Sequence, residues 1–454
     1  MDGASLTGST ELTRILAEQA SIVAYDTLPD AVRTLVRQCV LDYFGCAIAG
    51  ANDPLVHILI AEMAEMGGAA TASLIGHHAR MPALSAALVN GAASHALDYD
   101  DVNLAMPGHP SVAILPGLIA LAEQRGGTGR DLIAAFVAGY ETACRIGMAL
   151  RPGHYGRGFH ATGTVGTFGG AASCAHLLGL DAEATARALG IAGTQAAGLK
   201  SQFGTMCKPF HAGKASQNGL LAARLAARGF SSRPDLVECD QGFAKTHSPD
   251  LHPEAALAAP PSGFYLFANL FKYHAACYMT HGPIECARQV RDHQVAVGDI
   301  AAIALSVHEG SARICNIPAP TDGLEAKFSL RQTVAMALSG VDTASLGAYS
   351  VATATDPALV RLRERVELDF RPDLPEAGAE LAVTLRDGNI VHATHDAGIP
   401  NPDIAAQGIH LAAKFDTLVE PVLGAARTRE LRGMIEGLDG LAEIGGLARL
   451  AAGT

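Results

Sequence analysis

The stretch DAVRTLVRQCVLDYFGCAIAG, residues 30–50, sets the architecture of the first half of this chain. Val32, Leu35, Val36, Cys39, Val40, Tyr43 and Phe44 recur three and four residues apart, which makes one buried face of a helix, with Arg33, Arg37 and Asp42 on the other side. Asp30 after Pro29 opens that helix, and Gly45 or Gly50 closes it. The same texture continues outward, predicting further helices over about 54–66, 82–97, 110–125, 129–150, 163–178, 182–190 and 213–228. Abundant Ala and Gly, no Trp and 5% aromatic residues suit closely packed helices with little aromatic filling.

The texture changes after Phe271. Ile303, Leu305 and Val307 alternate with smaller residues, as on a half-buried strand, and a second strand is predicted over 365–370. In LAVTLRDGNIVHATH, residues 381–395, Asp387-Gly388 stands between two alternating runs and marks a hairpin. A helix over 329–338 lies between these strands, and Ala-rich helical sequence returns from about Asp403. The expected fold is therefore mainly α with an α+β second domain. Residues 1–270 and 401–454 would form the all-α domain and 271–400 the α+β part.

A chain of 454 residues has ample length for a large core. Its formal charge of −12 argues against nucleic acid and against anionic membrane surfaces, so cations that hold an anionic substrate must be local to a site. The nine cysteines are scattered, without CxxC or zinc-ribbon spacing, and read as reduced, mostly buried thiols of a cytoplasmic protein. The first residues have neither a basic nor an apolar signal region, and no run of 18 uninterrupted apolar residues predicts a membrane span.

Four polar islands interrupt this apolar background: SHALDYDDVNLAMPGHPS (94–111), GHYGRGFHATGT (153–164), GTMCKPFHAGKAS (204–216) and LFKYHAACYMTHG (270–282). Each sets His beside Tyr, Lys or Cys among glycines, as a general acid/base site on a helical scaffold requires. Pro110 after His109 places that imidazole at a helix start, where free N–H groups face an anion. Alternatives remain open at this stage. Asp98, Asp100 and Asp101 can simply hydrogen-bond a tight loop, and His109 and His160 can be satisfied core imidazoles. His154, His211, His274 and His281 read as structural or supporting groups. The glycines of GTVGTFGG do not make a dinucleotide loop. A metal held by Asp100, His109 and His160 matches no helical ligand spacing, and the expectation is no metal and no cofactor.

HALDYDD…GHPS, GFHATGTVGTFGGAA, GTMCKPFHAGKASQNG, FKY…CY and EAKFS occur in the order, and at similar separations, found in the MmgE/PrpD family, which this chain resembles over nearly its whole length. That family includes 2-methylcitrate dehydratase, cis-aconitate decarboxylase and iminodisuccinate epimerase. The resemblance implies an all-α domain made from both chain ends, a smaller α+β lid, a metal-free site in the cleft between them, and a homodimer. It also implies loss of a proton or of CO2 next to a carboxylate of a small di- or tricarboxylic acid.

Such chemistry needs a base near the carbon and cations or donors on the carboxylate. Lys208 and Lys272 are the candidate cations, expected to converge on one site, with Asp98, His109 and His160 as candidate acid/base groups. Cys277, Tyr278 and His211 are candidate substrate contacts. The expected reaction is elimination by a dehydratase-like lyase after abstraction of an α-proton. Decarboxylase-type sequences carry ten residues of offset between the equivalents of Asp98 and His109, here eleven, and His in place of Cys277. The epimerase-type pattern matches Asp98, His109, Tyr155 and Cys277-Tyr278, with Tyr155 and Lys272 as two bases and Lys208 or His160 activating the Tyr. A pocket that merely senses a carboxylate is the non-enzymatic alternative.

Overall fold

The computed structural model describes residues 11–260 and 262–452, which fall into two compact units. One draws on both ends of the chain, within Met1–Asn269 and Pro402–Thr454, and the other is Leu270–Asn401.

The first unit is helix packed on helix. Its longer N-terminal helices are α1 (Leu12–Ser21), α2 (Asp30–Gly50), α3 (Pro54–Met66), α4 (Ala83–His95), α5 (Pro110–Arg125), α6 (Gly129–Leu150), α7 (Ala161–Leu177), α8 (Ala182–Gly193) and α9 (Cys207–Ala226). The periodicity placed most of these within one or two residues. Helix α1 is not among the expected helices, and α9 begins six residues before its expected start, so that Cys207–Ala212 is helix and not loop. Pro209 and the glycines suggested a loop, but proline is tolerated in a first turn, where its missing N–H has no helical partner anyway. Gly213 has a packing role: an added Cβ would lie 2.2 Å from Leu88 O, and one on Gly91 would lie 2.7 Å from the Gly213 Cα. These two glycines let α9 and α4 touch backbone to backbone just before α4 ends at His95.

Helix α6 is long and apolar enough to cross a membrane by composition, but most of its apolar stretch is buried in the fold, as in the core helix of a globular unit.

The second unit holds a four-stranded sheet of β1 (Ile300–His308), β2 (Val366–Arg371), β3 (Gly378–Leu385) and β4 (Ile390–Asp396), in the order β2-β1-β3-β4. Strand β1 pairs parallel with β2 and antiparallel with β3, so that Ile303 faces Val366 and Leu305 faces Leu381. The β3–β4 hairpin turns through Asp387-Gly388, with Gly388 at the left-handed φ of 88°. Helices α10 (His281–Asp292) and α11 (Leu330–Leu338) supply Ile284, Val290, Val334 and Leu338 to a core shared with Ile303, Leu305, Leu381 and Val383.

The chain then re-enters the first unit as α12 (Ile404–Leu423) and α13 (Ala425–Glu436). Helix α12 packs along α2, where Gln407 bonds Gln38 at 2.8 Å and Lys414 bonds Asp42 at 2.6 Å.

Candidate active site in the helical unit

Three helix starts surround the turn that follows α4. His109 is the N-cap of α5 with Pro110 behind it, His160 is the N-cap of α7, and Lys208 lies in the first turn of α9. Neither imidazole caps its own helix through its side chain, so both rings are available for other contacts. Gly108 brings the first two starts together: an added Cβ there would lie 2.9 Å from Thr162 N, and the His109 N–H donates to Thr162 Oγ1 at 3.0 Å. The positive dipole ends of these helices gather partial positive charge at one place.

The carboxylates come from the turn itself. Asp98 has φ 51°, a left-handed conformation that Asp tolerates better than most residues. Its Oδ1 accepts from Lys208 Nζ at 2.6 Å and lies 3.7 Å from His109 Nε2. Asp100 is fully buried between two imidazoles. His95 Nδ1 reaches both of its oxygens at 2.9 Å, and His109 Nδ1 lies 2.9 Å from Oδ2. The second contact is close but off the axis of a good hydrogen bond, and Nδ1 has no better partner. The His95 ring stands 4.5 Å from His109 and 5.9 Å from His160. His160 Nδ1 in turn contacts His211 Nδ1 at 3.1 Å, and Phe203 closes against His160 edge to face.

Charge is distributed unevenly over this cluster. Burial works against ionisation of Asp100, but the adjacent His109 and His95 hold its carboxyl well below the usual range. Burial pushes His95 down to about 4, with Asp100 pulling the other way, and it pushes His160 well down, helped by His95 and Lys208. His160 is thus a neutral imidazole at neutral pH, able to accept a proton. Asp98, His109 and Lys208 keep small exposed fractions, 13%, 11% and 9% of their side chains, and His211 is half-buried, so solvent reaches the cluster at these residues.

A second layer fixes the turn. Ser111 donates to Asp101 at 2.6 Å; burial first, then Asp42, raises the Asp101 carboxyl to about 7. Lys414 of α12 donates to Asp42 and, at 2.7 Å, to the Tyr99 carbonyl, while its ammonium stands 4.0 Å from the centre of the Tyr99 ring. Burial opposes that charge, but Asp42 more than offsets it and the Lys414 pKa is raised.

Of the residues expected from sequence, Asp98, His109, His160, Lys208 and His211 form this continuous cluster. Tyr155 lies on the short helical turn Gly153–Gly156, half-buried, and the cation beside it is Lys200, 3.6 Å from the ring centre and 3.2 Å from its carbonyl. Lys200 was not foreseen from the sequence; of the two groups expected to activate Tyr155, Lys208 bonds Asp98 and His160 contacts His211.

Lys272, Cys277 and Tyr278 belong to the second unit, and all three are buried. The Tyr278 hydroxyl donates to Ala397 O, and the Cys277 N–H to Lys327 O. Nearby, His274 is held by Glu285 at 2.7 Å and Thr343 at 2.8 Å, the supporting role expected for it. The sequence places His95 in the first polar island but gives it no role, and nothing in the sequence singles out Lys414. His95 sits on an Ala-rich helix and five residues before Asp100, a spacing that suggests nothing until the turn is folded.

His95, Asp98, Asp100 and His109 each offer a ligand atom within 4.8 Å of the others, and they are the side chains a divalent ion would use. Here His95 Nδ1 already bonds Asp100, and Asp98 Oδ1 bonds Lys208. The Lys208 ammonium on Asp98 is a fixed positive charge that an incoming cation would have to displace.

Comparison with known proteins adds the following. The family model for the MmgE/PrpD N-terminal domain matches residues 14–256, and that for the MmgE/PrpD C-terminal domain matches 274–439. A cis-aconitate decarboxylase of Aspergillus terreus is 27% identical over 97% of this chain and 95% of its own length. The Homo sapiens cis-aconitate decarboxylase is 31% identical over 80% of this chain and 78% of its own, and that of Mus musculus 27% over 94% and 90%. These relatives are enzymes of the lyase type.

Proposed function

We propose that this chain, which belongs to the MmgE/PrpD family, is a cofactor-independent acid/base lyase that works at the carbon next to a carboxylate of a small di- or tricarboxylic acid. The observation that carries the reading is the Lys208 ammonium set among the starts of α5, α7 and α9, beside two imidazoles and two carboxylates. An ammonium has three donors and Asp98 takes one, which leaves donors for a substrate carboxylate. The helix starts and Lys208 would then stabilise the enolate-like charge that builds up as the adjacent C–H bond breaks. Neutral His160, or His109 through Nε2, would carry the proton, and the resemblance to the epimerase-type pattern implies Lys272 and Tyr155 as further bases.

In the elimination reading the C–H pair becomes the C=C bond, and hydroxide leaves from the neighbouring carbon and takes up a proton as water. Decarboxylation is the second reading, favoured by the relatives: the C–C bond breaks, CO2 leaves, and the retained pair is protonated on carbon. Cys277, where decarboxylase-type sequences carry His, weighs against it. The proposal includes a homodimer in a reducing cytoplasm, in keeping with the free, mostly buried cysteines.

Incubation with citrate-like, aconitate-like and aspartate-derived acids in heavy water, followed by NMR, tests the reading. A new alkene means elimination, and CO2 with one deuterium on the product carbon means decarboxylation. Solvent deuterium without net change means epimerisation. Tight binding with no exchange at all would leave a carboxylate sensor and overturn the enzyme reading.

A further inference from the structure

We propose that Asp100 and His95 are positioning residues for His109: they fix its proton on Nδ1 and so present Nε2 toward Asp98 and Lys208. The inference rests on the acid/base reading of this site, but its structural half can be measured without any substrate.

The argument is one of donors and acceptors. Ionised Asp100 has only acceptors; His95 Nδ1 bonds it at 2.9 Å, and His109 Nδ1 stands 2.9 Å from Oδ2, off the axis of a good hydrogen bond but facing no other acceptor among the described residues. Each ring must therefore carry its proton on Nδ1 to use that contact. For His109 this leaves Nε2 as the atom 3.7 Å from Asp98 Oδ1, which Lys208 also bonds at 2.6 Å. An imidazole whose Nε2 were protonated in the resting state could not accept a proton there.

His95 decides how the triad responds to change. Its Nε2 is buried and has no hydrogen-bond partner among the described residues. A bare nitrogen lone pair there is tolerable, whereas an N–H at the same place would be a buried donor without an acceptor. His95 is thus locked as the Nδ1–H form. Asp100→Asn keeps one acceptor oxygen and gains an NH2. His95, unable to switch, takes the oxygen; the NH2 then faces His109 Nδ1 and drives the His109 proton to Nε2. Removing His95 as well frees the amide to turn its oxygen to His109, which restores the original tautomer. His95→Leu within Asp100→Asn should therefore repair a defect that a purely structural role would make worse.

The experiment is 15N-histidine NMR of the full-length protein, with the His109 signals identified by their absence in His109→Gln. The expected results are Nδ1–H in the wild type, Nε2–H in Asp100→Asn, and Nδ1–H again in His95→Leu/Asp100→Asn. On the acid found to react in heavy water, Asp100→Asn should lower kcat by about 10²-fold or more with little change in KM, and the double variant should regain at least about 10-fold. Far-UV circular dichroism checks folding, and Asp100→Glu, which keeps two acceptor oxygens, should retain the Nδ1–H form. An Nε2–H wild type, or an Asp100→Asn protein with the wild-type tautomer, would overturn the proposal. So would a double variant that stays Nε2–H, or a tautomer shift that leaves kcat intact. If the tautomers behave as expected while no acid reacts, the positioning holds and the enzymatic reading fails.

Discussion

Replacing Lys414 by Met asks whether the C-terminal helix holds the turn that carries the site. Met keeps most of the length of the aliphatic stem, so what is lost is the ammonium and its contacts at 2.6 Å to Asp42 and 2.7 Å to the Tyr99 carbonyl. Both side chains of the ion pair are buried. Removing one member of a buried pair costs about 3–5 kcal/mol, because the remaining charge is left uncompensated. The abandoned Tyr99 carbonyl accounts for about 1–3 kcal/mol of that scale. Against a typical total of roughly 5–15 kcal/mol, this is a large fraction of the stability. Adding Asp42→Asn removes the stranded charge, so the double variant should be more stable than Lys414→Met alone. Urea unfolding of the four proteins of the cycle should give a coupling energy of about 2 kcal/mol or more. Turnover should fall too. Tyr99 sits between Asp98 and Asp100, and a shift on the order of 1 Å in such a turn is worth about 10²-fold in rate. Strict additivity of the two substitutions, or a Lys414→Met protein with wild-type stability and kcat, would refute the reasoning.

Lys208→Ala should raise KM by about 10-fold or more and lower kcat as well, because a charged donor to the carboxylate is lost in the ground and transition states alike; steady-state kinetics decide it. Lys272→Ala should lower kcat by at least about 10²-fold with the fold intact by circular dichroism, and near-wild-type turnover would remove Lys272 from the list of bases. Exhaustive chelation should leave activity unchanged, and loss restored by one specific divalent ion would show that the His95, Asp98, Asp100 and His109 group holds a metal. Asp101 is raised to about 7 by burial, then Asp42, against about 3.9 in an unfolded chain, so its ionisation opposes folding and the stability it confers is lost as pH rises from about 4 to 7. Asp101→Asn lacks that loss, so its stability relative to wild type should increase between pH 5 and 8, and a constant urea-midpoint difference would count against it.

Periodicity revealed the helices because it reports burial of one face, and that signal is local: α2 through α8 follow directly from where Val, Leu, Ile and Ala recur. The start of α9 was hidden because Pro209 and Gly213 carry loop chemistry in any local window, while the fact that rescues them, the touching backbones of Gly91 and Gly213, joins residues 122 positions apart. The hairpin at Asp387-Gly388 was legible for its turn chemistry, whereas the parallel pairing of β1 with β2 leaves no local mark. In the site, the residues with conspicuous chemistry were found, and those that act through another residue were not. His95 and Lys414 look like an alanine-helix histidine and a surface lysine until the fold turns them inward.

The distribution of charge explains how a protein of net charge −12 can hold a polyanion. Lys208 and Asp98 cancel as a pair, and the Asp100 charge is spread over two imidazoles, so the side chains alone offer a carboxylate little net attraction. The backbone supplies the difference. Three helix starts direct the positive ends of their dipoles to one place, and these cannot be neutralised by a change of protonation. Fixed dipoles also need no reorganisation when charge moves from carboxylate to enolate, which is where pre-set donors lower a barrier most. The side chains are then free for a different task. With His160 neutral and His109 held between Asp100 and Asp98, they provide places for a proton to leave and return, while the backbone provides the binding field.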